Sequence, residues 1–322
     1  MPVLSIDLRK IKKNTSNIIR LLGGIELVAV TKAIAGDKKI ARAMVEGGAT
    51  LLLDSRISNL KAYKDLPVKR MLLRLPPNAK SSDVENLVDY YLVSNTEDIV
   101  SIEKMHKSKP ASIILLIETG FKREGFLEDE LREVIAWVRK SKLIKFAGVA
   151  TCTDCMNGCD PKDQLELFRD IVNKLDLPEG AIVSGGNSSV LPQAFKNNIP
   201  KKINQLRVGE SILLGHDTSK YKRLLGNATD VFKLKAELIE TRAKDGERIG
   251  VVGVGVQDIG AGGLTALDDE VLGIRKKYSD YITVSIKRGC RLNKKWLTFK
   301  PDYYALMALN SSKYVIKKYI DY

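Results

Sequence analysis

The sequence predicts an α/β protein, a (β/α)8 TIM barrel followed by a C-terminal, mostly β domain. Over the first two-thirds of the chain, short β-branched runs alternate with amphipathic segments in about eight strand–helix units, the number that closes such a barrel. A doubly wound open sheet is the alternative, but no strand near the start leads into a glycine-rich loop and a helix. From about residue 225 the strand candidates follow one another without long helices.

The barrel strands are predicted from apolar, β-branched runs. In chain order they are LVAVTK, TLLLDS, KRMLLRL, YYLVSN, SIILLIET, KFAGVAT, AIVSGGN and QLRVGE. The segments between them, such as DKKIARAMVEGG and LEDELREVIAWVRKS, have the apolar spacing of amphipathic helices. We therefore expect residues 1–222 to form the barrel domain.

The β domain is expected to span residues 223–322. Its strand candidates are DVFKLKAELIETRA, RIGVVGVGV, YITVSIK, KWLTFK and KYVIKKYI. The segment GVGVQDIGAGG lacks the third glycine of a dinucleotide motif at the required spacing, so it predicts a turn-rich loop. The early strand VLSIDL lies outside the count of eight, and it is a candidate to pair with the β domain.

Composition excludes several classes of protein. The net charge of +14 suggests nucleic-acid binding, but the basic residues are spread out and no run combines them with aromatic residues, so we expect no nucleic-acid partner. No stretch approaches the roughly 18 apolar residues of a membrane span, and the start has no signal-peptide core. We expect a cytoplasmic protein that does not associate with membranes.

Polar side chains follow the predicted barrel strands, where barrel active sites are built. Lys32 ends the first strand, and it either points into water or stands at the mouth of a pocket. The polar groups at the other strand ends include Asp54, Arg56, Arg74, Asn95, Glu118, Arg123, Thr151, Cys152 and Arg207. Together they predict a cationic rim.

Two glycine-containing turns, SGGNSS and RVGES, follow the seventh and eighth strands. Barrels commonly bind phosphate there through backbone N–H groups, although a tight turn with a helix N-cap is the simpler interpretation. A lysine beside a phosphate site indicates pyridoxal 5'-phosphate (PLP), because a lysine amine forms a Schiff base with a carbonyl group. The cofactor then serves as an electron sink for an amino-acid substrate.

The chain resembles the alanine racemase-like, fold-type III PLP enzymes, most closely their ornithine and amino-acid racemase branch. The resemblance is carried by AVTKAIAGD, DSRISNLK, LLRLP, SGGNSSVL, INQLRVGESILLG, GGLTALD and SSKYV, and covers nearly the whole chain. It implies a barrel followed by a β domain, PLP as cofactor, and a head-to-tail homodimer.

The resemblance also implies roles for individual residues. Lys32 matches the Schiff-base lysine, and Arg207 matches the arginine that faces the pyridine nitrogen. Arg123 is expected to hold a substrate carboxylate or the phenolic oxygen of the cofactor. The remaining cofactor-binding residues implied are Cys152 next to the ring, Asn187 beside the cofactor, and Ser188, Tyr314 and the backbone N–H groups of Gly209 and Glu210 on the phosphate.

The chain departs from alanine racemases at two positions. Cys152 stands where those enzymes have a histidine. The partner-subunit tyrosine that serves them as second base is absent from TRAKDGERIGVVGVGVQD. Racemisation by two bases needs an acid on each face of the α-carbon. Asp258 is our candidate, with Asp268, Asp269 and Cys290 as weaker ones.

The segment CTDCMNGC clusters Cys152, Cys155 and Cys159 with a spacing that suits zinc or an iron–sulfur cluster, but no fourth ligand is evident. We expect no metal site. Of the two histidines, His106 is expected to face solvent and His216 to be structural.

These observations together predict a PLP-dependent amino-acid racemase that acts on ornithine, lysine or a related α-amino acid through a Lys32 Schiff base. Another fold-type III PLP enzyme, such as a D-amino-acid aldolase or dehydratase, is the alternative. A non-enzymatic PLP-binding protein is a further one.

Overall fold

A closed parallel barrel forms the larger part of the computed structural model, which describes residues 1–153, 161–244, 247–290 and 294–320. Within these ranges eight strands close the barrel in chain order. They are β2 Glu26–Val30, β3 Leu51–Asp54, β4 Lys69–Leu72, β5 Tyr90–Val93, β6 Ala111–Ile117, β7 Ile144–Thr151, β8 Ile182–Gly185 and β9 Gln205–Val208. The last strand pairs in parallel with the first, with Arg207 opposite Val28. The predicted barrel is confirmed.

Helices follow each barrel strand and cover the outside of the barrel. They are α2 Lys38–Glu46, α3 Ile57–Ala62, α4 Ser81–Val84, α5 Thr96–Met105, α6 Leu131–Lys140, α7 Lys162–Lys174, α8 Leu191–Ala194 and α9 Glu210–Leu214, with α1 Leu8–Leu22 ahead of β2. In α7, for example, Leu165, Phe168 and Ile171 recur at helical spacing and are buried. The helices therefore seal the outer core against the strands.

The barrel interior is filled by its own cluster of apolar side chains. The fully buried members are Val28, Leu51, Leu53, Met71, Leu92, Ile114, Leu116 and Ala150. Because these side chains fill the centre, the barrel is a packed core and not a pore. A ligand is accommodated at the ends of the strands instead.

The β domain is a sheet that both ends of the described chain complete. Its strands are β1 Val3–Asp7, β10 Phe232–Lys244, β11 Glu247–Val252, β12 Leu264–Ala266, β13 Val271–Lys277, β14 Ile282–Ile286, β15 Trp296–Pro301 and β16 Ile316–Ile320. The main order is β12-β15-β10-β11-β14-β13. The early strand β1 pairs antiparallel with β10 and parallel with β16. The predicted link between VLSIDL and the β domain is confirmed.

The sequence missed two helices of this domain and the burial of one histidine. The segment predicted as a turn-rich loop contains a helical turn, α10 Val256–Ile259, and α11 Tyr303–Ser311 connects the last two strands. The expectation for His106 was wrong, because it is 1% exposed and bonds Tyr91 Oη at 2.8 Å and the Lys109 carbonyl at 2.8 Å.

No helix in the described ranges combines the length and the apolar character that crossing a membrane requires.

Candidate active site

One pocket opens at the C-terminal ends of the barrel strands, and eight of the residues predicted for the site line it. These are Lys32, Arg123, Cys152, Asn187, Ser188, Arg207, Gly209 and Glu210. The apolar part of the wall consists of Val30, Leu53, Leu73, Leu92 and Leu116. The sequence did not single out three further lining residues, Glu124, Thr218 and Tyr303.

Lys32 begins a tight turn that follows β2. Residues 32–34 form one turn of 3-10 helix, and the turn ends where Asp37 caps α2 through bonds from the N–H groups of Lys39 and Ile40. Ala35 has a φ of 49°, a left-handed conformation that is uncommon for a residue with a Cβ atom. Such a conformation persists only when the surrounding structure holds it.

The barrel side of this turn is held by a buried carboxylate. Thr31 Oγ1 donates to Asp54 Oδ2 at 2.6 Å, and Asn59 Nδ2 donates to Asp54 Oδ1 at 3.0 Å. The N–H of Arg56 donates to the same Oδ1 at 3.0 Å. Burial raises the pKa of Asp54 above its ordinary value, and the hydrogen bond from Thr31 opposes that rise. Asp54 thereby fixes the residue that precedes Lys32.

The other side of the turn is held by the β domain. Asn310 Nδ2 of α11 donates to the carbonyl of Ala33 at 3.0 Å. Tyr319 Oη and Lys317 Nζ of β16 reach Asp37 Oδ2 at 2.6 and 3.2 Å. The turn that presents Lys32 is therefore clamped between two domains of one chain.

The motif GGLTALD packs closely against α11, the helix that carries Asn310. A Cβ atom on Gly262 would lie 1.9 Å from the backbone nitrogen of Ala305, so only glycine allows α11 to pack so closely. The N–H of Gly263 donates to Asp302 Oδ2 at 2.6 Å, and Asp302 Oδ1 caps α11 by accepting from Ala305 N–H. The first residue of this helix, Tyr303, lines the pocket.

Arg207 and Arg123 bring cationic groups to the opposite wall. Arg207 is 6% exposed and donates to Ser184 Oγ at 2.6 Å and to the carbonyl of Thr151 at 2.5 Å. Burial lowers the pKa of Arg207, and the nearby thiol of Cys152 opposes that shift. Arg123 Nη2 donates to Cys152 Sγ at 3.6 Å.

The glycine turn after β8 forms a polar cradle. Asn187 Nδ2 donates to the carbonyl of Thr153 at 2.8 Å, while its Oδ1 accepts from Ser189 N–H at 2.9 Å. Ser188 Oγ accepts from the N–H of Ser211 at 3.4 Å, which connects the turn to α9. Gly186, with a φ of +106°, permits the fold-back that places these residues side by side.

His216 and Asp217 fix the loop that follows α9. His216 Nε2 bonds Glu210 Oε1 at 3.1 Å, and its structural role stays a prediction. The carboxylate of Asp217 accepts from the N–H groups of Ser219, Lys220 and Lys222. This loop carries Thr218, which is 2% exposed, and its Oγ1 has no hydrogen-bond partner among the described residues.

Several predicted residues are not brought to the pocket. Asp258 lies in α10, is 5% exposed, and accepts from the N–H of Gly255. Tyr314 is 52% exposed. Asp268 is engaged by Lys294 and the N–H of Thr298. The roles of these residues stay predictions.

The expectation that the segment CTDCMNGC holds no metal also stays a prediction. Cys155 and Cys159 lie outside the described residues. Within the described ranges, no group of three or more His, Cys, Asp or Glu residues is placed to hold a metal ion.

The chemistry of the pocket fits PLP. Apolar side chains on one wall suit a flat aromatic ring, and Lys32 offers the amine that a carbonyl requires. The hydroxyl-bearing cradle suits a phosphate, and Arg207 suits a ring nitrogen. The orphan hydroxyl of Thr218 is a donor that still requires an acceptor.

Comparisons with known proteins identify the family of the chain. The family model described as "Alanine racemase, N-terminal domain" matches residues 6–217. Ornithine racemase from Acetoanaerobium sticklandii is 32% identical over 355 aligned positions, covering 98% of this chain and 99% of the relative. Lysine racemase from Thermotoga maritima is 32% identical over 265 positions, covering 79% of this chain and 74% of the relative.

Solved structures show the same fold at lower identity. Alanine racemase from E. faecalis superposes with a TM-score of 0.76 at 18% identity, covering 99% of this chain and 98% of that one. Alanine racemase from Bartonella henselae, solved with covalently bound pyridoxal phosphate, gives 0.75 at 19% identity, covering 99% of both chains. With its barrel and most of its length matched in this way, the chain belongs to the alanine racemase family.

Proposed function

We propose that this chain interconverts the L and D forms of a diamino acid such as ornithine or lysine. The reaction class comes with the family, because the chain is a PLP-dependent amino-acid racemase. The presence of Lys32 and Arg207 in one pocket carries the proposal for the site. The names of the two curated relatives support a substrate with a distal amine.

The pocket residues divide the work around the cofactor. When bound, PLP supplies the electron-withdrawing ring that makes the α-proton of the amino acid acidic. Lys32 Nζ holds the cofactor and removes or returns the α-proton on one face. Arg207 has only N–H donors and therefore takes no proton from the ring nitrogen. Cys152, which lines the pocket, would stand beside the ring of the bound cofactor. Asn187, Ser188, Gly209, Glu210 and Tyr314 are proposed around the phosphate.

Two charged side chains suit the ends of a diamino acid. Arg123 is proposed to bind the α-carboxylate. Of the carboxylates that line the pocket, Glu210 is bonded by His216, whereas Glu124 is bonded by its neighbour Arg123, whose Nε lies 3.0 Å away. A substrate that offers both a carboxylate and an ammonium group can exchange partners with this pair. Glu124 is therefore proposed to bind the distal amine.

The second base is proposed to come from another copy of the chain. We place Asp258 in this role, within a head-to-tail homodimer in the cytoplasm. We also propose a domain boundary near residue 222, where the matched family region has ended and the β domain has not begun.

The central experiment follows the α-carbon. The purified, PLP-loaded protein is incubated in D₂O with single L-amino acids, and deuterium incorporation and enantiomer ratio are measured. We expect the D-enantiomer to accumulate with α-deuterium, fastest for ornithine or lysine. Release of an aldehyde or keto acid would instead show a different PLP reaction. Exchange without inversion would show that the second base is missing.

Glu124→Gln tests the choice of substrate. We expect kcat/KM for ornithine and lysine to fall about tenfold while kcat/KM for alanine is unchanged, because only the diamino acids have a distal charge for Glu124 to bind. Glu128→Gln is the matched control, since Glu128 pairs with Lys174 on the surface. An equal fall for alanine would contradict the assignment.

Mixed dimers test the composite site. Lys32→Ala and Asp258→Asn are each expected to be inactive alone. Subunit exchange between them should restore part of the activity, because a mixed dimer contains one site with both wild-type residues. A mixture that stays inactive, or a protein that light scattering shows to be monomeric, would remove Asp258 from this role.

A further inference from the structure

Thr218 carries a buried hydroxyl for which the fold supplies no partner. The residue is 2% exposed, lines the pocket, and Oγ1 makes no hydrogen bond with any described residue. A buried hydroxyl without a partner is unfavourable, and the great majority of such groups are satisfied in native proteins. The unpartnered hydroxyl therefore indicates that a bound ligand accepts a hydrogen bond from it.

Thr218 lines the same pocket as Asn187 and Ser188 of the cradle, and hydrogen bonds connect its loop to them. His216 bonds the side chain of Glu210, and its carbonyl accepts from Ser211 Oγ at 2.7 Å. The N–H of the same Ser211 donates to Ser188 Oγ. A short series of contacts thus joins the loop of Thr218 to Ser188, which belongs to the glycine turn after β8.

The backbone on both sides of Thr218 is held by hydrogen bonds to Asp217. Asp217 is 3% exposed, and its two carboxylate oxygens accept three backbone N–H groups and the hydroxyl of Ser219. These bonds fix the backbone on both sides of Thr218. An anion at the cradle would therefore meet a backbone that is already ordered around Thr218, so little backbone entropy is left to lose.

We propose that Thr218 Oγ1 donates a hydrogen bond to the phosphate of PLP, as a ligand that the glycine turns do not provide. The inference rests on the proposed use of this pocket for PLP. Its test measures cofactor binding without any substrate, so a failure of the racemase assignment would not be mistaken for a failure of this proposal.

The experiment compares Thr218→Val, Thr218→Ser and the control Thr15→Val in the full-length apoprotein. Thr15 is also buried, but its hydroxyl donates to the carbonyl of Ile11 within α1. Binding of PLP and of pyridoxal is titrated by absorbance, and melting of each apoprotein is recorded. We expect Thr218→Val to weaken PLP binding about tenfold, with Thr218→Ser close to the parent.

Two further outcomes are specific to an orphan hydroxyl. Thr218→Val should not lower the melting temperature of the apoprotein, because no protein hydrogen bond is lost, whereas Thr15→Val should lower it. Binding of pyridoxal, which has no phosphate, should be unchanged. Unaltered PLP affinity in Thr218→Val would overturn the proposal, as would an equal loss for pyridoxal.

Discussion

The two sides of the pocket are held in different ways. The cradle is built from barrel residues, with Asn187 and Ser188 bonded to Thr153 and Ser211. The Lys32 turn is held from the barrel by Asp54 and from the β domain by Asn310, which is distant in sequence. The difference teaches that the cradle is a property of the barrel, whereas the turn that carries Lys32 requires both domains.

Lys32→Ala removes the amine from the side of the pocket that both domains hold, and it has the largest expected effect. Racemisation should fall by at least about 10³-fold, because the amine is proposed to act both as cofactor anchor and as base. The absorbance of the lysine-bound cofactor should disappear, while circular dichroism stays unchanged. Lys38→Ala is the control, since Lys38 pairs with Asp65 on the surface. A retained absorbance band would place the cofactor on another residue.

Gly186→Ala tests whether the cradle depends on the barrel alone. The new Cβ would lie 2.9 Å from Thr153 Oγ1 and from Val190 Cγ2, at a φ that favours glycine. We expect a loss of about 2 kcal/mol in stability and weaker PLP binding. Gly180→Ala has a similar backbone conformation without close atoms, so it should cost less. Equal melting temperatures for the two variants would contradict this account.

Asn310→Leu tests the clamp from the β domain. Loss of the bond to the Ala33 carbonyl should cost about 1 kcal/mol locally. Hydrogen exchange across residues 31–37 should be faster, and exchange in the cradle, residues 186–189, should be unchanged. Ser311→Ala is the control, because Ser311 lies in the same helix but its Oγ donates within that helix, to the carbonyl of Met307. Faster exchange in both segments would mean that the two sides are not independent.

Asp54→Asn tests the barrel contact of the same turn through pH. Because the pKa of Asp54 is raised in the folded protein, its ionisation lowers stability as pH rises above about 3.8 through the folded value. Stability of the Asn variant should lack this fall. Urea unfolding between pH 3 and 7 measures it. A parent and a variant with parallel pH curves would show that the carboxyl is not perturbed.

Glu85→Gln should change the pH dependence of stability in the opposite direction, and it should have the smallest effect on the site. Bonds from Ser108, Lys107 and Lys109 lower the pKa of Glu85 to about 2. Its contribution is therefore present above about 4.5 and is lost as pH falls towards 2. The variant should lose stability at neutral pH and keep the activity of the parent, because Glu85 is not one of the residues that line the pocket. A gain in stability at neutral pH would contradict this assignment.

The sequence allowed the barrel and most of the pocket to be predicted for one physical reason. Parallel strands bring their C-terminal ends to one rim, so Lys32 and Arg207 meet there whatever the details of packing. Thr218 and Asn310 carry no such periodic signal. Their positions depend on how a loop and a second domain fold back onto the barrel, which only tertiary contacts reveal. Tyr303 is intermediate, since Asp302 marks a helix start but not what that helix meets.

The pairing of β1 has a consequence for the order of folding. Val3 lies beside Ile316, and Leu4 lies beside Leu234. The first described strand to be synthesised therefore completes its pairing only after β10 and β16 have been synthesised. Pairings so distant along the chain are slow to form. The barrel strands can assemble in the meantime, but the Lys32 turn acquires its clamp only when β16 and α11 have docked. A nascent chain would therefore become competent to react with cofactor late, when synthesis of the β domain is complete.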